Sequence, residues 1–197
     1  MKVEKGKDVG AVVIGASIGA VEALLRILPE LPDDYPLPVL VVVHVPPDGR
    51  SALPELFRER CRMPVKEAED TEAIRAGTIY FAPSDYHLLV DPDCTVSLSN
   101  EEAVHYSRPA IDPLFETAAD AWGDRLLGVV LTGASKDGAL GLRAVESAGG
   151  ATLVQDPETA EGMAMPMAAL EACQDARSLS LDEIAQFIAN EFPLILK

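Results

Sequence analysis

Ala11-Val12-Val13-Ile14-Gly15-Ala16-Ser17-Ile18-Gly19-Ala20-Val21-Glu22-Ala23-Leu24-Leu25 is the stretch that decides the fold. A short β-branched run at 11–15 reads as a buried strand. A turn follows at Gly15–Gly19, then a helical pattern over 19–28. The unit recurs along the chain. Val39-Leu40-Val41-Val42-Val43 predicts a second strand at 39–45, and Leu126-Leu127-Gly128-Val129-Val130-Leu131 another at 126–132. Strands alternating with helices predict an α/β fold on a parallel sheet. In such sheets, function gathers in the crevice beyond the carboxyl ends of the strands. Ser17, His44 and Asp137 each follow one of these three strands.

The rest of the chain fills in that frame. Residues 1–9 form a charged lead-in, and the domain is expected to run from 10 to 193 as a single unit. A Pro-rich connection at 29–38 separates the first helix from the second strand. A helix is expected near 51–61 with Ser51 as its cap, and short strands near 64–68 and 78–82. His87-Leu88-Leu89-Val90 and Thr95-Val96-Ser97-Leu98 flank a turn, which predicts a β-hairpin appended to the sheet. Asp112-Pro113 predicts a helix to about 122, Asp as cap and Pro at its first position. Helices are expected near 138–148 and 165–173, with strands at 151–155 and 177–179. Ser180-Leu181-Asp182-Glu183 is a capping box for a final helix.

Composition bounds the function. The 197 residues suit one domain with a sizeable core. A net charge of −16 argues against a nucleic-acid binder, which needs a basic footprint, and against docking on anionic lipid. No apolar run reaches the length of a membrane span, so no membrane insertion is expected. The apolar segment from Gly10 to Leu25 contains Glu22 and reads as strand, turn and helix rather than a secretory signal. Cys61, Cys94 and Cys173 are odd in number and widely spaced. Free thiols in a reducing cytoplasm account for them better than disulfides or a metal site.

The three strand-end residues suit hydrolysis. Gly15-Ala16-Ser17-Ile18-Gly19 fits G-x-S-x-G between strand and helix, a turn that projects the serine hydroxyl above the sheet. The N–H of Ile18 is then available to an oxyanion. His44 can take the serine proton and return it to the leaving group. Asp137 can hold His44 in one tautomer and stabilise its imidazolium. Its carboxylate can equally cap the helix that follows it. Backbone N–H groups of Ala134 and Ser135 are further oxyanion donors. The chain order Ser, His, Asp separates this arrangement from α/β-hydrolases, which run Ser, acid, His.

Rival readings fare worse. A dinucleotide-binding turn expects an acidic residue ending the second strand, and this one ends in His44-Val45-Pro46-Pro47. Tyr35, Tyr80, Tyr86 and Tyr106 are followed four residues on by Val39, Ser84, Val90 and Ala110, so no Tyr-x-x-x-Lys pair exists. His87 and His105 have no acidic or Cys partners at metal-ligand spacing, and no metal or cofactor is expected. Met163, Met165 and Met167 are read as core packing.

At this point the chain resembles the catalytic domain of the CheB family of protein-glutamate methylesterases, over about residues 9–190. The resemblance rests on Gly15-Ala16-Ser17, His44-Val45-Pro46, and Gly77-Thr78-Ile79-Tyr80-Phe81-Ala82-Pro83 with His87. It continues through Arg108-Pro109-Ala110-Ile111-Asp112, Leu131-Thr132-Gly133 to Gly138, Ala148-Gly149-Gly150 and Gln155-Asp156. It implies a doubly wound, mainly parallel sheet with an antiparallel hairpin. Nucleophile, base and acid fall on Ser17, His44 and Asp137. The implied reaction is hydrolysis of glutamyl γ-methyl esters on cytoplasmic chemoreceptor helices, releasing methanol, with deamidation of receptor glutamines as a second activity. The alternative is a catalytically weak binding or scaffold module of a chemosensory array, which a Ser17–His44–Asp137 chain of hydrogen bonds would disfavour.

Three positions depart from the family's usual pattern. Ile18 replaces Thr, Ala20 replaces a second Gly, and Thr132-Gly133-Ala134-Ser135 stands where Thr-Gly-Met-Gly is usual. Family members also commonly carry an N-terminal phosphoacceptor receiver domain, whereas this sequence starts almost at the first catalytic strand. The expectation is therefore constitutive activity, or control by a separate regulatory protein.

Overall fold

The structure, a computed structural model, describes residues 10–44 and 52–196. The expected lead-in at 1–9 and the Ser51 cap lie outside the described residues. Nine strands are seen among them: β1 (Ala11–Ala16), β2 (Val39–Val43), β3 (Val65–Glu67), β4 (Ile79–Phe81), β5 (His87–Val90), β6 (Val96–Ser99), β7 (Leu126–Val130), β8 (Ala151–Gln155) and β9 (Arg177–Leu179). The helices are α1 (Ala20–Ile27), α2 (Leu53–Arg58), α3 (Ile111–Trp122), α4 (Ala139–Ser147), α5 (Ala164–Ala172), α6 (Leu181–Gln186) and α7 (Phe192–Ile195). A π-helical turn, Phe187–Glu191, joins the last two.

Seven strands form one sheet in the order β3-β4-β2-β1-β7-β8-β9, and every pairing in it is parallel. β2 pairs with one side of β1 and β7 with the other, so the strand order reverses at β1, the switch point where ligands bind in such sheets. All residues of β1, β2 and β7 are buried, which is why they read as unbroken apolar runs. Their side chains alternate between two cores. Val12, Ile14, Val39, Val41, Leu127 and Val129 face the layer of α1 and α6. Val13, Leu40, Val42, Leu126 and Val130 face the layer of α3, α4 and α5.

One local expectation is sharpened and two are corrected. The hairpin β5–β6 is antiparallel as expected, with His87 opposite Ser99, but it forms its own two-stranded sheet. Leu88, Val90 and Val96 turn into the α3-side core, and the Val90 N–H donates to Thr117 Oγ1 at 3.1 Å. Packing on α3 therefore holds it in place of strand pairing. Helix α3 begins at Ile111, after Ala110 in extended conformation, so Asp112 lies inside the first turn and does not cap it. Of the three methionines read as core, only Met165 is buried; Met163 and Met167 are about half exposed.

The capping box is present as read: Ser180 Oγ accepts from the Glu183 N–H, and the Glu183 carboxylate accepts from the Ser180 N–H. Among the described residues no helix is long and apolar enough to cross a membrane.

Candidate active site

Parallel pairing of β1 and β2 places Ala16 beside Val43, and the His44 N–H donates to Ala16 O at 3.1 Å. Ser17 and His44 thus leave neighbouring strands side by side. On its other flank the Ser17 N–H donates to Thr132 O at 2.9 Å, just past β7. The period of two along β2 turns His44 to the same face as Leu40 and Val42, toward α3. Glycine at position 15 lets this happen: the Ile111 side chain, first residue of α3, fills the space a Cβ there would need. The start of α3 consequently rests directly on the carboxyl end of β1.

Asp137 meets His44 at that point. His44 Nε2 lies 2.7 Å from Asp137 Oδ2, and the Asp137 side chain is fully buried. The carboxylate also accepts from the N–H of Ile111 at 2.7 Å and of Asp112 at 3.0 Å. These are orphan N–H groups of a helix start, where a negative charge is favoured. Burial alone would raise the Asp137 carboxyl, but the hydrogen bonds from His44, Ile111 and Asp112 outweigh it and hold the group below the usual carboxylate value. Asp137 does cap a helix, though it caps α3 rather than α4, the helix that follows it.

Helix α4 is capped in return by Asp112, which the sequence reading took as the cap of its own helix. Asp112 Oδ1 accepts from the N–H of Gly138 at 2.9 Å and of Gly141 at 2.7 Å. Burial pushes the Asp112 carboxyl up, opposed by the Gly141 N–H and reinforced by the charge of Asp137. Its other oxygen faces His105 Nε2 at 3.5 Å. One further histidine supports the same spot. His87 Nδ1 accepts from the Ala110 N–H at 3.2 Å, and its Nε2 lies 3.1 Å from Glu102 O. Since Nδ1 is the acceptor, the His87 proton sits on Nε2.

The serine end is less enclosed. Among the described residues the Ser17 hydroxyl has no hydrogen-bond partner, so the expected first link to His44 is not closed. Ser17 and His44 instead line one cleft of about 500 Å³, with Glu22, Leu25, Leu53 and Glu161 in its wall. The turn itself is held by Thr132, whose Oγ1 donates to Ile18 O at 2.8 Å and accepts from the Gly162 N–H at 2.8 Å. Gln155 fixes Thr132 in turn, its Oε1 accepting the Thr132 N–H at 3.0 Å. Among the described residues no acceptor meets the backbone N–H of Ile18, Ala134 or Ser135, the three candidate oxyanion donors. None of the three lines the cleft. Ser135 Oγ accepts from the Asp137 N–H at 3.2 Å, which ties that loop to the acid.

His105, Asp112 and Asp137 bring three possible metal-ligating atoms within 4.8 Å of one another. Both Asp137 oxygens and Asp112 Oδ1 already receive N–H donors, which occupy the positions a cation would take. The three cysteines are free thiols. Burial pushes Cys61 up to about 11 and, with Glu146, Cys173 up to about 12, so neither is a thiolate near neutrality.

Comparison with known proteins gives a consistent result. The family model described as CheB methylesterase matches residues 12–188. A Leptospira interrogans protein named putative protein-glutamate methylesterase/protein-glutamine glutaminase is 44% identical over 176 residues, covering 89% of this chain and 91% of the relative. A Symbiobacterium thermophilum protein named protein-glutamate methylesterase/protein-glutamine glutaminase is 39% identical, covering 91% of this chain but 49% of the relative. The crystal structure of the Thermotoga maritima CheB methylesterase catalytic domain superposes with a TM-score of 0.86 at 33% identity, covering 92% of this chain and 97% of that one.

Proposed function

This chain belongs to the CheB methylesterase family, and we propose that it hydrolyses glutamyl γ-methyl esters through Ser17, His44 and Asp137. The observation that carries the assignment of residues is the buried 2.7 Å pair of His44 and Asp137 beside Ser17. Asp137 engages Nε2, so the neutral imidazole keeps its proton there and Nδ1 is the base.

Ser17 Oγ attacks the ester carbonyl carbon while its proton passes to His44 Nδ1. The tetrahedral oxyanion is assigned to the Ile18 N–H, with Ala134 and Ser135 as the further candidate donors, since none of the three N–H groups meets an acceptor among the described residues. Collapse breaks the bond to the methoxy group, which leaves as methanol with the proton from His44. Water then attacks the acyl-serine, again giving a proton to His44, and the serine oxygen departs with that proton. The product is the glutamic acid side chain, which releases its proton to solvent to give the carboxylate. A glutamine side chain entering the same site would lose ammonia in place of methanol, since both reactions share the tetrahedral intermediate.

The substrate is assigned as the cytoplasmic helices of chemoreceptors, which places the enzyme in the cytoplasm. Ile18, Val21, Met163 and Met167 support a macromolecular substrate: each is large, apolar and 41–53% exposed. They come from the turn and helix after β1 and from the start of α5, both at the carboxyl end of the sheet. Against a scaffold role without turnover stands the His44–Asp137 half of the hydrogen-bonded chain, with Ser17 and His44 open to one cleft beside it. The test is mass spectrometry of a methylated receptor fragment incubated with the protein. Loss of one methylene mass per site is expected, with methanol released. Equal loss with Ser17→Ala would refute the nucleophile.

A further inference from the structure

Asp112 lies outside the three residues assigned to the chemistry, yet it closes a hydrogen-bonded ring with one of them. We propose that Asp112 is a positioning residue: it fixes the peptide unit that carries Asp137, and through Asp137 it sets the orientation of His44. The inference rests on the esterase reading above.

The ring has two hydrogen bonds. The Asp112 N–H donates to Asp137 Oδ1 at 3.0 Å, and the Gly138 N–H donates to Asp112 Oδ1 at 2.9 Å. The Gly138 N–H belongs to the peptide that directly follows Asp137. Asp112 therefore holds the acid from its backbone side while its own N–H holds the acid's tip. A third bond, from the Gly141 N–H at 2.7 Å, keeps the Asp112 carboxylate from swinging away. Two helices are pressed together to allow this. A Cβ at Gly141 would stand 2.6 Å from Phe115 Cβ and 3.0 Å from Asp112 Cα.

An aspartate near a helix start ordinarily caps its own helix. Here each carboxylate caps the other helix, and α4 has no side-chain cap of its own at Gly138. The exchange places two buried carboxylates at one spot, an arrangement that like charges oppose. Simple helix capping does not call for it, since a neutral acceptor would serve α4. Coupling of the two loops does account for it.

The test compares Asp112→Asn, which keeps shape and an acceptor oxygen, with Asp112→Ala, which keeps neither. Three readouts are taken on the full chain: methanol release, the rate at which a fluorophosphonate labels Ser17, and the downfield proton resonance of the His44–Asp137 bond. Given the usual strength of hydrogen bonds to charged groups, turnover should fall about tenfold in Asp112→Asn and about a hundredfold in Asp112→Ala, with KM within about twofold of wild type. The labelling rate should fall in the same order, and the resonance should move in both variants. If Asp112→Ala does not fold, Asp112→Asn decides alone.

Wild-type turnover and an unmoved resonance in Asp112→Asn would overturn the proposal. So would a fall in turnover that only tracks the folded fraction, or a rise in KM at constant turnover. If the wild-type protein releases no methanol while labelling and resonance respond as stated, the ester reading falls and the positioning role stands.

Discussion

The two ends of the assigned triad are built differently. At the acid end, Asp137 is fully buried and receives three N–H donors, two of them from the start of α3. At the nucleophile end, Ser17 opens onto a cleft, its hydroxyl has no partner among the described residues, and the neighbouring Ile18 is half exposed. The fold completes the orientation of His44 before any substrate arrives. It leaves the serine link to close when the ester fills the cleft, as catalytic hydrogen bonds often do. Stability and chemistry should therefore separate at one end of the triad and coincide at the other.

The largest effect tests the nucleophile end. Ser17→Ala and His44→Ala should each lower methanol release by on the order of 10⁴–10⁶, since such residues act as a unit. Ser17→Ala should melt like the wild-type protein, because nothing in the fold depends on its hydroxyl. A lower melting temperature would break the comparison.

Asp137→Asn should reduce turnover by about 10⁴ through the wrong tautomer. It should also destabilise the fold, because one amide oxygen must serve three N–H donors. Hydrogen bonds to a charged acceptor are each worth about 1.5–3 kcal/mol, so the loss should be plain in chemical denaturation. An Asp137→Asn protein as stable as Ser17→Ala would show that the acid end is no more built-in than the other.

Acidification sharpens the same contrast. Asp137 is held below the usual carboxylate value and stays charged through the mildly acidic range. The Asp137 carboxylate should therefore keep its three N–H donors through mild acidification, and early loss of the His44–Asp137 proton resonance would contradict this. The stability that Asp137 contributes follows its depressed value. It is fully present above the unfolded carboxyl value and is lost as pH falls through the lower folded one.

Gly141→Ala presses on the acid end alone. Overpacking against Phe115 and Asp112 should destabilise by about 1–3 kcal/mol and lower turnover more than labelling of the free cleft by small molecules. Ile18→Thr is the smallest change. With half of Ile18 in solvent, lost burial should be under ~1 kcal/mol, and a hydroxyl near the base should raise turnover modestly at constant KM. Reduced turnover in a folded Ile18→Thr protein would show that this position does not limit catalysis.

The strands were legible because burial on both faces of a parallel sheet demands unbroken apolar runs, as in Val39-Leu40-Val41-Val42-Val43. The three strand ends followed from the same logic. Asp112 was not legible as a partner of Asp137, because backbone N–H groups mediate the link and they carry no sequence signal. Its position before Pro113 imitates a cap, and only the close approach at Gly141 reveals that the carboxylate serves another helix. Gly141 itself was the available signal, a glycine inside a helical pattern with no turn to explain it. Met163 and Met167 were misplaced because alternate residues at a helix start fall on different faces, and Met165 alone faces the core. Ser17 was found by its motif, yet no pattern could tell that its hydroxyl would await a partner.

The order of strands has a consequence for how the molecule loosens. The three strands that end in Ser17, His44 and the Asp137 loop are adjacent, β2-β1-β7, at the middle of seven. Local opening begins where few neighbours hold the backbone, at β3 and β9 on the two margins. In native-state deuterium labelling the marginal amides should exchange first and those of Val13, Ile14, Val41 and Val129 last. Fraying at the rim can thus proceed some way, through heat or a glancing encounter with another protein, while the atoms assigned to the chemistry keep their places.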